Sequence, residues 1–136
     1  MRDVAYIALG SNLGDRAASL ATARAAIAAL PECSLLSVTP AEETAPIGPV
    51  AQGAFLNQML ALETTLEPET LLDSLLEIER AAGRERGTRW GPRTLDLDIV
   101  AFDRRTFHST RLTVPHPELP NRDFWRRELA ALRNEK

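Results

Sequence analysis

The sequence predicts an α+β domain in which helices pack on an antiparallel sheet. Three observations support this fold class: several short segments are typical of strands, longer segments carry apolar residues at helical spacing, and the two kinds alternate only loosely. The spacing of the segments near the C-terminus is typical of hairpins, which favours antiparallel pairing. Because the 136 residues contain no repeat or linker, one domain is predicted for residues 1–136.

The first half of the chain contains three predicted strands and one helix. Residues 4–9 form a short apolar run, and the helix predicted for 15–30 begins with a capping aspartate. Further strands are predicted at 34–42 and 55–64. The prolines and glycines of 45–53 predict a long irregular loop between them. Loops of this length usually have a function.

The second half begins with a helix predicted for 68–82, where a proline occupies the first helical position and leucines form an apolar face. A strand at 95–102 and a short return strand at 106–108 follow. The stretch RLTVPHPELPNRDF at 111–124 is predicted to be irregular, because three prolines lie between 115 and 120. A last helix is predicted for 123–134.

The charge pattern points to a small anionic ligand. A net charge of −3 argues against a general nucleic-acid or anionic-membrane binder. Residues 84–93 nevertheless contain four arginines and one acidic residue. Arginine grips phosphate with paired hydrogen bonds, and Lys136 is the one lysine, which excludes a Walker-type phosphate loop. The single Cys33 permits no internal disulfide, and the short apolar N-terminal run is no signal peptide, so a cytoplasmic protein is expected.

Asp96 and Asp98 lie in a segment of strict alternation, Leu95 to Ile99, which predicts a strand. Both carboxylates then point to one face, with Cα atoms roughly 6.6 Å apart. Such a pair alone is more often structural, but the upstream arginines favour a magnesium site on a nucleotide polyphosphate. A glycosidase-like acid and base pair ranks lower, because neighbouring arginines favour the charged form of both carboxylates.

Other candidate residues have two interpretations each. Gly10 to Asp15 match neither a dinucleotide nor a Walker loop, which favours a tight turn that caps a helix. His108 is interpreted as a surface residue. His116, between two prolines, is equally compatible with a surface role and with donation to phosphate. For Phe124 and Trp125, packing in the core is the simpler interpretation.

Four motifs together resemble one family. RWGPRTLDLDI at 89–99, RLTVPHP at 111–117, ALGSNLGD at 8–15 and NRDF at 121–124 closely resemble 6-hydroxymethyl-7,8-dihydropterin pyrophosphokinase, an enzyme family of folate biosynthesis. The resemblance covers residues 4 to about 124. It implies a ferredoxin-like antiparallel sheet sandwiched by helices. It also implies transfer of diphosphate from ATP, the co-substrate, to the hydroxymethyl group of a reduced pterin, with two Mg²⁺ ions and release of AMP. A monomer is expected.

The resemblance implies a role for each matching residue. Asp96 and Asp98 would hold the metal ions and would form the catalytic set with Arg84 and Arg93. Contacts with the triphosphate are implied for Arg84, Arg93, His116 and Arg122. The adenosine site would be lined by Ile99, Arg111, Leu112 and Thr113. The pterin would be bound by Thr44, Pro46, Ile47, Phe55, Asn57 and Phe124, with the two phenylalanines on opposite faces of the ring.

The chain departs from the family pattern in two places. Glu42 occupies a position where the family usually has an aromatic residue, and the sequence after about residue 124 differs from the apolar, proline-containing segment of the family. Glu79 falls on a family position but is equally suited to pair with an arginine. Two other functions stay open: a divergent, non-catalytic nucleotide- or pterin-binding protein, and a Mg-ATP kinase acting on another alcohol.

Overall fold

The computed structural model of the chain describes residues 2–12, 14–44, 54–82 and 95–134. Within these ranges the elements follow in the order β1 (Asp3–Ser11), α1 (Arg16–Ala28), β2 (Cys33–Val38), β3 (Glu42–Thr44), β4 (Phe55–Thr64), α2 (Pro68–Ala81), β5 (Asp96–Phe102), β6 (Phe107–His108), β7 (Thr113–Val114) and α3 (Asp123–Asn134).

The main sheet has the strand order β2-β4-β1-β5, and every neighbouring pair is antiparallel. The short β3 also pairs with β4, next to β2. Strands β6 and β7 form a separate two-stranded sheet. The connection β1-α1-β2 leaves room for β4 in between, which is the split arrangement of ferredoxin-like folds. The predicted α+β class is confirmed.

The sheet is covered by helices on both faces. Because successive side chains of a strand point to opposite faces, β1 contributes Ile7 and Leu9 to one core and Tyr6 and Ala8 to another. The first core is closed by α1 and α2 and the second by α3. The sheet is therefore the middle layer of a sandwich, and the face toward α3 carries the site described below.

The helices begin where the sequence predicts. The side chain of Asp15 accepts a hydrogen bond from the backbone N–H of Ala18, 3.1 Å away, and Pro68 stands at the start of α2. Helix α2 buries Leu71 and Leu75, whereas Leu76 is 41% exposed, because it points away from the sheet. Within the described ranges, none of the helices is long and apolar enough to cross a membrane.

Two local predictions are wrong. The strand predicted for 34–42 is two strands, because the Thr39 hydroxyl accepts from the backbone N–H of Met59 at 3.0 Å and Pro40 has no N–H to continue the ladder. The stretch predicted to be irregular contains β7 and a 3₁₀ turn at Leu119–Asn121. Strand β7 ends at Val114, just before the first of the three prolines.

Candidate active site

Three neighbouring strands place polar residues in a row across the α3 face of the sheet. Gly10 of β1 lies directly opposite Asn57 of β4 on one side and Asp96 of β5 on the other. Two residues earlier in β1, Ala8 lies opposite Asp98. Opposite residues point to the same face, and adjacent strands are roughly 4.8 Å apart. The backbones of Asn57 and Asp96 are thus separated by roughly 10 Å, with a glycine between them.

A cavity of about 400 Å³ opens above this row, on the face of the sheet that α3 covers. Of the predicted site residues that the structure describes, those lining this cavity are Thr44, Phe55, Asn57, Asp96, Asp98, Arg122 and Phe124. The rest of the lining comes from Ala8, Leu9, Gly10 and Trp125. The cavity therefore joins the acidic pair of β5 to the polar and aromatic residues of β3 and β4.

The floor of the cavity is flat because Gly10 has no side chain. A Cβ atom at this position would lie 3.3 Å from Oδ1 of Asn57 and 3.6 Å from Cδ1 of Phe55. The first of these contacts is tighter than ordinary van der Waals packing. Phe55 belongs to the sheet and Phe124 to the helix layer, so each layer contributes one aromatic ring. A flat ligand fits a cavity of this form.

The Asn57 side chain is oriented by a neighbouring strand. Its amide nitrogen donates a 2.5 Å hydrogen bond to the hydroxyl oxygen of Thr44. The amide oxygen lies next to Gly10, at the floor of the cavity. An amide held in this way presents an acceptor to the edge of a ligand at small entropic cost, since only 8% of Asn57 is exposed.

His116 is not among the residues that line the cavity, but it lies beside the acidic end, next to Asp98, and has a defined tautomer. Nδ1 of His116 accepts a hydrogen bond from the backbone N–H of Glu118 at 3.0 Å, so the neutral ring carries its proton on Nε2. Nε2 lies 3.6 Å from Oδ1 of Asp98. The backbone N–H of His116 donates to the carbonyl of Val100 in β5 at 2.9 Å. A backbone hydrogen bond therefore holds His116 next to the strand that carries the two aspartates, and its Nε2–H donor lies on the side of Asp98.

The two aspartates suit a magnesium ion that also binds substrate. In the described part of the chain, no group of three or more histidine, cysteine, aspartate or glutamate side chains is suited to hold a metal. Magnesium usually binds through one or two carboxylates together with substrate phosphates, rather than in an all-protein cage. Asp96 and Asp98 line the same cavity and supply hard oxygen ligands. The donor set thus fits magnesium bound jointly with a polyphosphate.

Two further residues support the site, although the sequence assigned neither of them a role in it. Glu79 of α2 is 3% exposed, and its Oε2 accepts from the backbone N–H of Leu97 at 2.6 Å, between the two aspartates. Trp125, for which a core role was the simpler interpretation, lines the cavity and contacts both His116 and Arg122. The contacts Glu79–Leu97 and Trp125–His116 have no local sequence signal, because each joins residues of different elements or loops.

A buried carboxylate lies on α3 one turn beyond Phe124. Glu128 is 5% exposed, and neither carboxylate oxygen has a hydrogen-bond partner among the described residues. Burial raises the pKa of Glu128 to about 7, and the charge of Glu42 adds to the effect while Arg127 opposes it. Arg127 also pairs with Glu42 at 3.3 Å. The two departures from the family pattern, at position 42 and after position 124, therefore meet in space.

The four residues predicted for the adenosine site do not line the cavity. Ile99 and Leu112 are buried in the core on the side of α1 and α2. Arg111 is partly exposed and pairs with Glu69 at 3.4 Å and Asp73 at 2.5 Å on α2. The hydrogen bond and charge of Asp73 raise the pKa of Arg111. The remaining residue, Thr113 of β7, contacts His108. The adenosine assignment stays a prediction.

Four other predicted site residues lie outside the described residues, namely Arg84, Arg93, Pro46 and Ile47. Their predicted roles in binding phosphate and pterin stay predictions.

A larger groove of about 860 Å³ lies on the opposite side of the sheet, between α1 and α2. It is lined mainly by small and apolar side chains of the two helices, and none of the predicted site residues that the structure describes contributes to it. Catalysis on a charged substrate needs charged or polar groups at the reacting atoms. The smaller cavity next to Asp96 and Asp98 is therefore the better candidate for an active site.

Comparisons with known proteins point to an enzyme family. Residues 6–134 match the family model described as 7,8-dihydro-6-hydroxymethylpterin-pyrophosphokinase. The chain is 44% identical over 127 residues to the 2-amino-4-hydroxy-6-hydroxymethyldihydropteridine pyrophosphokinase of Bacillus subtilis (strain 168), covering 91% of this chain and 74% of the relative. Relatives of the same name in Pseudomonas aeruginosa and Haemophilus influenzae are 45% and 42% identical, each matching 88% of this chain and covering 74% and 75% of their own length.

Proposed function

The chain belongs to the 7,8-dihydro-6-hydroxymethylpterin-pyrophosphokinase family, and on this premise we infer that it transfers pyrophosphate from ATP to the hydroxymethyl group of a hydroxymethyldihydropterin. The products are AMP and the pterin diphosphate, and the reaction is a step of folate biosynthesis. The observation that carries this function is the single cavity that joins Asp96 and Asp98 to Asn57 and two phenylalanines. One site thus provides groups suited to a polyphosphate beside groups suited to a flat heteroaromatic ring.

The pterin occupies the end of the cavity formed by β3, β4 and α3. Its ring lies over Gly10, between Phe55 from the sheet and Phe124 from the helix layer. The amide oxygen of Asn57, held by Thr44, accepts a hydrogen bond from an N–H group at the edge of the ring. The resemblance implies that Pro46 and Ile47 would complete this subsite.

The triphosphate of ATP occupies the other end. Asp96 and Asp98 would hold the metal, with two Mg²⁺ ions implied by the resemblance. Magnesium bound there would neutralise the phosphate charge and draw electrons from the phosphoryl oxygens. His116 donates from Nε2 to a phosphate oxygen, and Arg122 supplies a guanidinium that neutralises further charge. The resemblance implies that Arg84 and Arg93 would also bind the triphosphate.

Phosphoryl transfer depends mainly on alignment and on charge neutralisation, because its transition state is loose. The protein therefore needs no strong general base at the hydroxymethyl oxygen. The rigid sheet fixes the spacing of the pterin and phosphate subsites at roughly two strand spacings. We expect this fixed spacing to hold the hydroxymethyl group close to the phosphoryl group that it attacks. The adenosine contacts of Ile99, Arg111, Leu112 and Thr113 rest on the resemblance alone.

Product analysis tests the function directly. The protein is incubated with Mg-ATP and 6-hydroxymethyl-7,8-dihydropterin, and the nucleotides are separated. We expect AMP and pterin diphosphate in equal amounts. ADP would indicate a simple kinase, and no turnover despite substrate binding would indicate a non-catalytic binding protein; either result would overturn the proposal.

A further inference from the structure

We propose that Trp125 is a positioning residue of this site. Its indole ring holds two side chains on the phosphate side in place: the guanidinium of Arg122 and the imidazole of His116. The inference rests on the proposed function, in which these two side chains contact the triphosphate. Trp125 acts through them, because its own indole has no group suited to bind phosphate other than one N–H.

The geometry places both side chains on the same ring. The guanidinium carbon of Arg122 lies 4.3 Å from the centroid of the Trp125 ring, over its face. The His116 ring meets the indole at a centroid distance of 4.9 Å and an interplanar angle of 82°, which is an edge-to-face contact. These are the preferred arrangements of a cation and of a second aromatic ring against an indole. Trp125 itself is 2% exposed and is therefore held firmly.

Arg122 depends on this contact for its orientation. Among the residues that the structure describes, no carboxylate forms an ion pair with Arg122, and the indole face is the contact that its guanidinium makes. A free arginine side chain loses considerable rotamer entropy when it is fixed by a ligand. Stacking on Trp125 removes part of that freedom in advance and leaves all guanidinium N–H groups available to an anion.

His116 is held at three points: its backbone N–H binds Val100, its Nδ1 accepts from Glu118, and its ring meets Trp125. The first two contacts set the position of the ring and its tautomer. The third limits rotation of the ring, so that Nε2 stays directed toward Asp98. Trp125 therefore fixes the direction in which His116 donates.

A role in core packing alone does not account for an indole at this position. Trp125 packs in the same apolar cluster as Leu129 and Leu132 of α3, and a leucine would fill such a site without orienting a cation. An aromatic face attracts a guanidinium, whereas the aliphatic side chain of leucine does not, and among aromatic rings indole does so best. A tryptophan at position 125 is therefore explained by its contacts with Arg122 and His116.

The test measures affinity for a non-hydrolysable Mg-ATP analogue by calorimetry. Trp125→Leu is expected to weaken binding about tenfold, equivalent to about 1.4 kcal/mol, and Trp125→Phe, which keeps a ring, about threefold. Leu129→Ala is the matched control: it leaves a gap in the same cluster one turn along α3, so it lowers the melting temperature and leaves the affinity of the folded protein unchanged.

A double-mutant cycle separates positioning from a structural role. In a His116→Ala/Arg122→Ala background, Trp125→Leu should weaken binding of the analogue by less than about twofold, because the side chains that Trp125 positions are no longer there. A further tenfold loss in that background, or no loss in the otherwise unchanged protein, would overturn the inference. If Trp125→Leu does not fold, the same cycle is run with Trp125→Phe.

The same data distinguish this inference from the proposed function. If His116→Ala/Arg122→Ala leaves the analogue affinity unchanged, the assignment of these side chains to the triphosphate is wrong and the positioning role is refuted with it. If that variant weakens binding but Trp125→Leu acts additively, only the positioning role is refuted.

Discussion

The buried carboxylate of Glu128 makes the stability of the protein depend on pH in a predictable direction. The folded protein raises the pKa of this group from an ordinary 4.5 to about 7, chiefly by burial and secondly through the charge of Glu42. The folded state therefore binds the proton more tightly than the unfolded state. Stability from this group is complete below about pH 4.5 and is lost as the pH rises to about 7.

The size of the effect follows from the difference in pKa. At roughly 1.4 kcal/mol for each pKa unit, the difference corresponds to about 3 kcal/mol. Because the folded protein relaxes around a buried charge and so weakens the burial penalty, we expect about 2 kcal/mol of this difference to appear in the stability. Glu128→Gln keeps the shape of the side chain and cannot ionise. We therefore expect the variant to gain about 2 kcal/mol over the unchanged protein at pH 8 and close to nothing at pH 4.5.

Urea unfolding at several pH values between 4.5 and 8 measures this difference. Glu77→Gln is the matched control, because Glu77 forms an exposed i,i+3 pair with Arg80 on α2; such surface pairs contribute little. Its stability should follow the pH dependence of the unchanged protein. If Glu128→Gln also follows that dependence, Glu128 is not the buried titrating group and the reasoning fails.

Three further predictions concern the site itself. Gly10→Ala should weaken pterin binding about tenfold and leave binding of the ATP analogue unchanged, because the new methyl group would crowd Asn57. Calorimetry with each ligand measures both affinities, and equal losses for the two ligands would contradict the prediction. Thr44→Val should weaken pterin binding about fivefold, since the Asn57 amide loses its hydrogen bond; unchanged affinity would show that the amide needs no support. Glu79→Ala should lower the free energy of unfolding by about 2 kcal/mol and should reduce turnover, because the Leu97 N–H loses its acceptor; a loss of stability with full turnover would show that Glu79 does not position the aspartates.

The sequence predicted most elements of the fold because their signals are local. The strand Phe55–Thr64 and the helix Asp123–Asn134 have the predicted bounds, since a mainly apolar run after a Pro- and Gly-rich loop marks the first and amphipathic spacing the second. The break between β2 and β3 was not predicted: Pro40 is a local signal for it, but the hydrogen bond from Met59 to Thr39 that accompanies the break spans twenty residues of sequence. Contacts of this length leave no periodic pattern.

In the candidate site, too, the local patterns were predictable from the sequence and the contacts between elements were not. Alternation at Leu95 to Ile99 placed Asp96 and Asp98 on one face, and both line the cavity. The register that sets Gly10 between Asn57 and Asp96 depends on pairing among three strands, which alternation within one strand does not determine. The contacts of Trp125 with His116, and of Arg127 with Glu42, join residues of different elements or loops and also emerged only from the structure.

Metal-dependent nucleotide binding tests the central claim, that two aspartates on β5 bind the phosphate chain through magnesium. Affinity for the ATP analogue is measured by calorimetry with and without Mg²⁺, in the unchanged protein and in Asp96→Asn/Asp98→Asn. We expect Mg²⁺ to strengthen binding at least about tenfold in the unchanged protein and to have little effect in the variant, whose melting temperature should show an intact fold. Equal affinity with and without Mg²⁺ in the unchanged protein, or an undiminished effect of Mg²⁺ in the variant, would contradict the claim.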